Sequence, residues 1–198
     1  LSPWTLREPD DGAVLNDFMP LPRPAAILFG YWQSHRYHEG IVNVLRQELT
    51  PPVGRGARVA RILAAASGTE TVAVHVRRGD YVTDPRVAQE FGALSVDHYH
   101  RAIDLIGNRC SDPSFIILSD DPSWAAEQIR PDAPTVHAEL EAPLDAVEVV
   151  ALMSRTMHAV IANSSLSWWG ARLAVHADQI VVAPSRWFAQ ARWRPDER

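Results

Sequence analysis

Apolar and polar positions along this chain fall into short blocks whose period switches repeatedly between strand-like and helix-like. Thr71 to Val76 is a β-branched apolar run of strand length, and Phe115 to Leu118 and Met157 to Ala162 repeat it. Ala25–Phe29, Thr135–Val136 and Gln179–Ala183 are shorter versions of the same pattern. Between them the apolar positions recur at three and four residues. Ile41, Val42, Leu45 and Leu49 predict a helix over 34–49, and Val59, Ile62 and Leu63 a second, short one. Further helices are predicted over Ser95–Ile106, Ser123–Ile129, Leu144–Met153 and Ser165–His176. Residues Leu1 to Pro24 hold several prolines and aspartates with no sustained period, and read as irregular.

Strands that alternate with helices predict an α/β fold with a parallel sheet and crossover connections. The predicted strands before Arg77, before Asp120 and before Asn163 each end where polar residues cluster. In open α/β sheets ligands gather beyond the carboxyl ends of the strands. Those three strand ends are therefore the candidate site.

Composition narrows the picture. The 198 residues suit one domain with an appendage, or two small domains, and 46% hydrophobic with 22% charged residues is ordinary globular usage. The net charge of −5 argues against a basic face for nucleic acid, so an anionic ligand must be met by local arginines. All 19 basic residues are arginine. Cys110 is the single cysteine, which excludes an internal disulfide and suits a reducing compartment. No run approaches the roughly twenty apolar residues of a membrane span, and no signal peptide is apparent.

The chemistry-bearing run is His75-Val76-Arg77-Arg78-Gly79-Asp80-Tyr81. Two guanidiniums at a strand end, then a glycine turn and a carboxylate, suit a diphosphate: the planar fork of donors matches phosphate oxygens at any working pH. A surface arginine pair is the plainer reading, and the flanking His75 and Asp80 weigh against it. His75 shares a strand face with Arg77 and serves either a nucleotide or the packing. Ser119-Asp120-Asp121 follows the second strand: Asp120 can accept from a guanine edge, Asp121-Pro122 reads as an N-cap with proline at N1, and both carboxylates acting as caps is the alternative. Asn163-Ser164-Ser165 opens a helix whose free N–H groups favour an anion, with the Ser164 and Ser165 hydroxyls as added donors and Asn163 as a possible cap. Trp168 and Trp169 fit the core or a sugar face. His35, His38 and His176 show no metal-ligand spacing, and no metal is expected.

These runs, in this order, resemble the three motifs of the GDP-fucose-dependent α-1,2-fucosyltransferases (glycosyltransferase family 11-like): His75–Tyr81, Ser119–Asp121, and Asn163-Ser164-Ser165-Leu166-Ser167-Trp168-Trp169-Gly170-Ala171. Gly30-Tyr31-Trp32-Gln33-Ser34 with Tyr37 is a further match upstream. The resemblance implies the Rossmann-like parallel-sheet lobe of a GT-B-type glycosyltransferase over residues 69–198. Residues 1–68 would then be the remnant of a truncated N-terminal, acceptor-side lobe, because the family's glycine-rich opening segment is not found. It implies inverting transfer of L-fucose from GDP-β-L-fucose to a galactoside hydroxyl, with a galactose-containing glycan as acceptor. No cofactor or metal is implied, GDP-fucose being the donor substrate. Arg78 would take the phosphates; His75, Arg77, Asp120, Asn163, Ser164 and Ser165 would complete the donor site. The catalytic base is Asp80 or Asp84, with Asp17 a further choice. A cytoplasmic protein, or one peripheral to a bacterial inner membrane, is the expected setting. A GDP-fucose-binding remnant that needs a missing segment or partner is the other reading.

Overall fold

A computed structural model of the chain describes residues 4–7, 26–30, 34–49, 57–174, 176 and 178–189. Its centre is a five-stranded, wholly parallel sheet formed by β3 (Glu70–Val76), β4 (Pro113–Ser119), β5 (Thr135–His137), β6 (His158–Val160) and β7 (Val181–Val182), in the order β5-β4-β3-β6-β7. Two further strands, β1 (Trp4–Arg7) and β2 (Ala26–Phe29), pair in parallel as a separate ribbon. Trp4–Arg7 lies in the stretch expected to be irregular; its order comes from pairing with a segment some twenty residues away, which no local period reveals.

Alternation along β3 and β4 builds two cores. Val72, Val74 and Val76 with Phe115 and Ile117 face α5 (Val96–Gly107) and α6 (Pro122–Gln128), where Tyr99, Ile103, Ile106, Ala125 and Ile129 are buried. Ala73, Ile116, Leu118, Ala159 and Ile161 face the opposite layer. That layer comprises α2 (Ala57–Ala65), α7 (Ala146–Met153) and α8 (Ser165–Arg172), and it buries Val59, Ile62, Val149, Leu152, Met153 and Ala171. A sheet covered on both faces explains the near-continuous apolar strands. The sequence boundary drawn after residue 68 separates α2 from β3, yet Val59 and Ile62 belong to the main core.

Local signals fix the helix starts. Ser95 accepts from the His98 N–H to open α5, and Asp145 with Glu148 forms a reciprocal capping box on α7. Gly170 lets α8 close on α7: a Cβ there would stand 2.7 Å from the Met153 Cβ. The 34–49 segment begins as two 3₁₀ turns, His35–Tyr37 and Glu39–Ile41, before α1 (Val42–Leu49). The helix expected to reach His176 ends at Arg172. No helix among the described residues is long and apolar enough to cross a membrane.

The strand order decides where the site lies. From β3 the chain steps outward to β4 and β5, then returns past β3 to β6 and β7. The direction of winding reverses between β3 and β6, and that topological switch point is where doubly wound sheets open a ligand crevice.

Candidate functional site

The site is assembled by register. In the β3–β4 ladder Val76 pairs with Ser119. Carried past the strand ends, the same offset sets Arg77 against Asp120 and Arg78 against Asp121, and both ion pairs form: Arg77 Nη1 to Asp120 Oδ2 at 2.7 Å, Arg78 Nε to Asp121 Oδ2 at 3.1 Å. Asp120 also accepts from the Arg78 main-chain N–H through Oδ1 at 2.8 Å. Arg77 Nη2 reaches Asp80 Oδ1 at 2.5 Å. Arg77 is thus held by two carboxylates, and its guanidinium lies 5.3 Å from the Tyr81 ring centroid.

Arg78 is held differently. Its guanidinium lies 3.7 Å from the centroid of the Trp124 ring, and Nε is the atom that meets Asp121. Its two terminal nitrogens have no hydrogen-bond partner among the described residues. A flat, preset guanidinium with its outer edge open is the geometry that grips an oxyanion bidentately. Trp124 escaped the sequence reading; the available signal was its place three residues after the N-cap Asp121, whose Oδ1 accepts the Trp124 N–H at 3.3 Å.

Gly79 and Asp80 do not form a turn: they open a short helix, α3 (Gly79–Thr83), followed by α4 (Pro85–Glu90). Gly79 is required for close approach, since a Cβ there would meet Asp120 Oδ2 at 2.6 Å. Asp84, expected in a loop facing an acceptor, instead caps α4, accepting from the Arg86 N–H at 2.8 Å. Asp80 is exposed beside Arg77. Asp17, Tyr31, Trp32 and Gln33 lie outside the described residues.

From β6 come Asn163, Ser164 and Ser165. Asn163 is 1% exposed; its amide donates to the carbonyls of Phe91, Gly92 and Trp187, each at 3.1 Å, and the Tyr81 hydroxyl donates to its main-chain carbonyl at 2.9 Å. It is a brace beneath the crevice, neither a surface ligand nor the helix cap. Ser164 is the N-cap of α8 without a side-chain cap bond, so its hydroxyl and the first N–H groups of α8 remain for an anion. Trp168 and Trp169 are half-buried, edge-on to one another at 5.0 Å, and both lie against the buried His38.

His75 is buried just before the arginine pair, with Nδ1 unpartnered among the described residues. Burial is the main force pushing its pKa down, to about 4; Asp120 opposes that and Arg77 assists it. The ring is therefore neutral at pH 7. Burial likewise raises the Tyr81 phenol to about 12, keeping it a donor. Glu139 also went unnoticed in the sequence. It is buried, accepts from the Ser119 N–H at 2.6 Å and the Leu144 N–H at 3.0 Å, and so fixes the peptide just before Asp120. Burial raises its pKa, against these two hydrogen bonds.

One group among the described residues has a metal-like composition: Glu70, Cys110 and His158, at the opposite end of the sheet. His158 Nδ1 accepts from the Ile180 N–H at 3.0 Å, which places the neutral ring's proton on Nε2, the atom that faces Glu70. A ring in that tautomer donates a hydrogen bond there instead of ligating.

Fold and site together define an α/β lobe with arginines and carboxylates clustered at the ends of its central strands. Residues 15–197 match glycosyl transferase family 11, and the chain belongs to that family, as the three motifs anticipated. Similar proteins include the O-antigen biosynthesis glycosyltransferase WbnK of Escherichia coli, 39% identical over 121 residues, which are 60% of this chain and 39% of that one. An alpha-1,2-colitosyltransferase of Escherichia coli is 32% identical over 162 residues, covering 80% and 55%. A galactoside 2-alpha-L-fucosyltransferase of Caenorhabditis elegans is 27% identical over 161 residues, covering 80% and 39%. The chain spans about half or less of the length of these relatives. Among solved structures, POFUT1 in complex with GDP-fucose aligns over 81% of this chain and 55% of that one at 16% identity, with a TM-score of 0.48.

Proposed function

We propose that this chain is the donor-binding lobe of an inverting glycosyltransferase that moves L-fucose, or a closely related sugar, from a GDP donor to a galactoside hydroxyl. The supporting observation is the Arg78 guanidinium at the end of β3, held over the Trp124 ring and by Asp121, with its terminal nitrogens left for a ligand. Proteins similar to this chain include a colitosyltransferase and a fucosyltransferase, which supports that donor class.

Departure of GDP builds negative charge on the β-phosphate. Arg78, the α8 N–H groups and Ser164 would meet that charge from preset positions, so little reorganisation is needed as the bond breaks. Arg77, clamped by Asp80 and Asp120, holds the loop. No metal is needed in this scheme, because guanidiniums supply the charge. Inversion demands a base for the acceptor proton; Asp80, exposed beside Arg77, is the choice, and the capping duty of Asp84 makes it the weaker one.

The test is calorimetry with GDP, ADP and UDP, then incubation with GDP-fucose and β-galactosides with and without magnesium. GDP binding lost in Arg78→Ala, with transfer independent of magnesium, is the expected result; equal binding of all three nucleotides would reject the donor assignment. A second reading is a lobe that binds GDP-fucose without transferring it. Binding without turnover would select it.

A further inference from the structure

A cavity of about 330 Å³ lies along the β6–β7 side of the sheet, away from the arginine pair. Its walls include Trp168 and Arg172 of α8, Arg46 of α1, Gln179 before β7, and His35. No carboxylate lines it among the described residues. Arg172 donates to no acceptor among the described residues, and Arg46 Nε, Arg172 Nε and Gln179 Nε2 lie buried behind the lining without a partner among them. Arg46 is anchored by Nη2 to the Ala174 carbonyl at 2.8 Å, which ties α1 to the end of α8. Arg172 makes no ion pair among the described residues; Glu39 is near enough to act on it electrostatically, and burial and Arg46 both push its pKa down.

Like charges are brought together here: the terminal nitrogens of Arg46 are engaged by Asn43 and Ala174, and the Arg172 guanidinium meets no acceptor among the described residues. Two guanidiniums side by side repel, and a guanidinium left without an acceptor is costly when water is excluded. The missing partner must offer several acceptor oxygens and negative charge. The half-buried Trp168 indole adds a flat apolar wall of the kind that suits the C–H face of a sugar ring. A pocket of this volume is the size of a small-molecule site.

We infer that this cavity is a second oxyanion subsite that takes an acid-bearing monosaccharide unit, its carboxylate or phosphate between Arg46, Arg172 and Gln179 and its ring against Trp168. The assignment stands apart from the donor reading: it uses none of Arg77, Arg78, Asp120 or Ser164.

The test is calorimetry on the whole chain with three probes: methyl β-D-glucuronide, glucose 1-phosphate, and neutral methyl β-D-glucoside. Each is titrated into the unaltered chain and into Arg78→Ala, Arg172→Met and Arg46→Gln. Saturable binding of at least one acidic probe is expected, with none for the glucoside. Affinity should be kept in Arg78→Ala and fall roughly tenfold or more in Arg172→Met or Arg46→Gln. Thermal unfolding checks that each variant is folded, and either of the last two suffices. Binding confined to one acidic probe names the source of the oxyanion, carboxylate or phosphate. The inference is overturned if neither acidic probe binds, if the glucoside binds equally, or if binding vanishes in Arg78→Ala and survives in both cavity variants. Loss of GDP binding elsewhere would leave this result untouched.

Discussion

The Tyr81 hydroxyl donates to the main-chain carbonyl of Asn163 at 2.9 Å, bridging the helix after β3 to the end of β6 across the switch point. Tyr81 is buried, stacks on Phe91 at 5.2 Å, and also lies beneath the Arg77 guanidinium. One side chain thus ties α3 and Arg77 to the end of β6.

Removing that hydroxyl leaves a buried carbonyl with a lost partner. Tyr81→Phe should cost about 1–2 kcal/mol of stability and weaken GDP binding as the walls loosen. Urea unfolding read by tryptophan fluorescence gives the first quantity and calorimetry the second. An unchanged midpoint would show the bridge is not made in solution.

Asp120 has both oxygens engaged, one by Arg77 and one by the Arg78 N–H. If its work is to hold the arginine loop, Asp120→Asn should weaken GDP, ADP and UDP alike, by roughly tenfold. If it also reads guanine, GDP alone should fall to the level of the other two. Titrating all three nucleotides into the one variant separates these outcomes, and the geometry favours the first.

Glycine to alanine in a helix ordinarily stabilises by roughly 0.5–1 kcal/mol. Gly79→Ala should do the opposite, because its Cβ would meet Asp120 Oδ2 at 2.6 Å and displace the carboxylate that orients Arg77. A lowered melting temperature together with weaker GDP binding is expected. A stabilised variant with normal binding would mean that Asp120 relaxes freely.

His75 carries a pH dependence of definite sign. Its pKa is depressed in the folded chain to about 4 from an ordinary 6.5, so the unfolded chain binds the extra proton first. The stability it contributes is complete above pH 6.5 and is lost as pH falls toward 4, on the order of 3 kcal/mol for the whole shift. His38, His98, His137 and His158 are shifted the same way, each chiefly by burial. Urea midpoints measured from pH 7 to pH 4.5 should fall steadily, and less steeply in His75→Leu. Equal slopes would show that the His75 ring is hydrated in the folded state.

Much of the fold is written locally. The apolar runs at Thr71–Val76 and Phe115–Leu118 locate two central strands because a strand buried on both faces tolerates little else. Asp121-Pro122 announces a helix start because proline and a carboxylate suit its first turn. The motif runs also identify Arg77, Arg78 and Asp120 as neighbours of one site. Gly79–Glu90 was harder: a glycine after two arginines reads as a turn, and the two short helices there are set by packing of Tyr81.

The sequence alone therefore determined the α/β class, the polar runs at the strand ends and the family they point to, since these depend on period, capping and residue type. Which side chain meets which was decided only by tertiary structure. The β3–β4 register matches Arg77 with Asp120 and Arg78 with Asp121; packing seats Arg78 on Trp124 and takes Asn163 out of the site to brace the loops. Register and strand order are agreements between segments about forty to ninety residues apart. They are fixed by burying both faces of the sheet at once, and no stretch of chain carries that condition by itself.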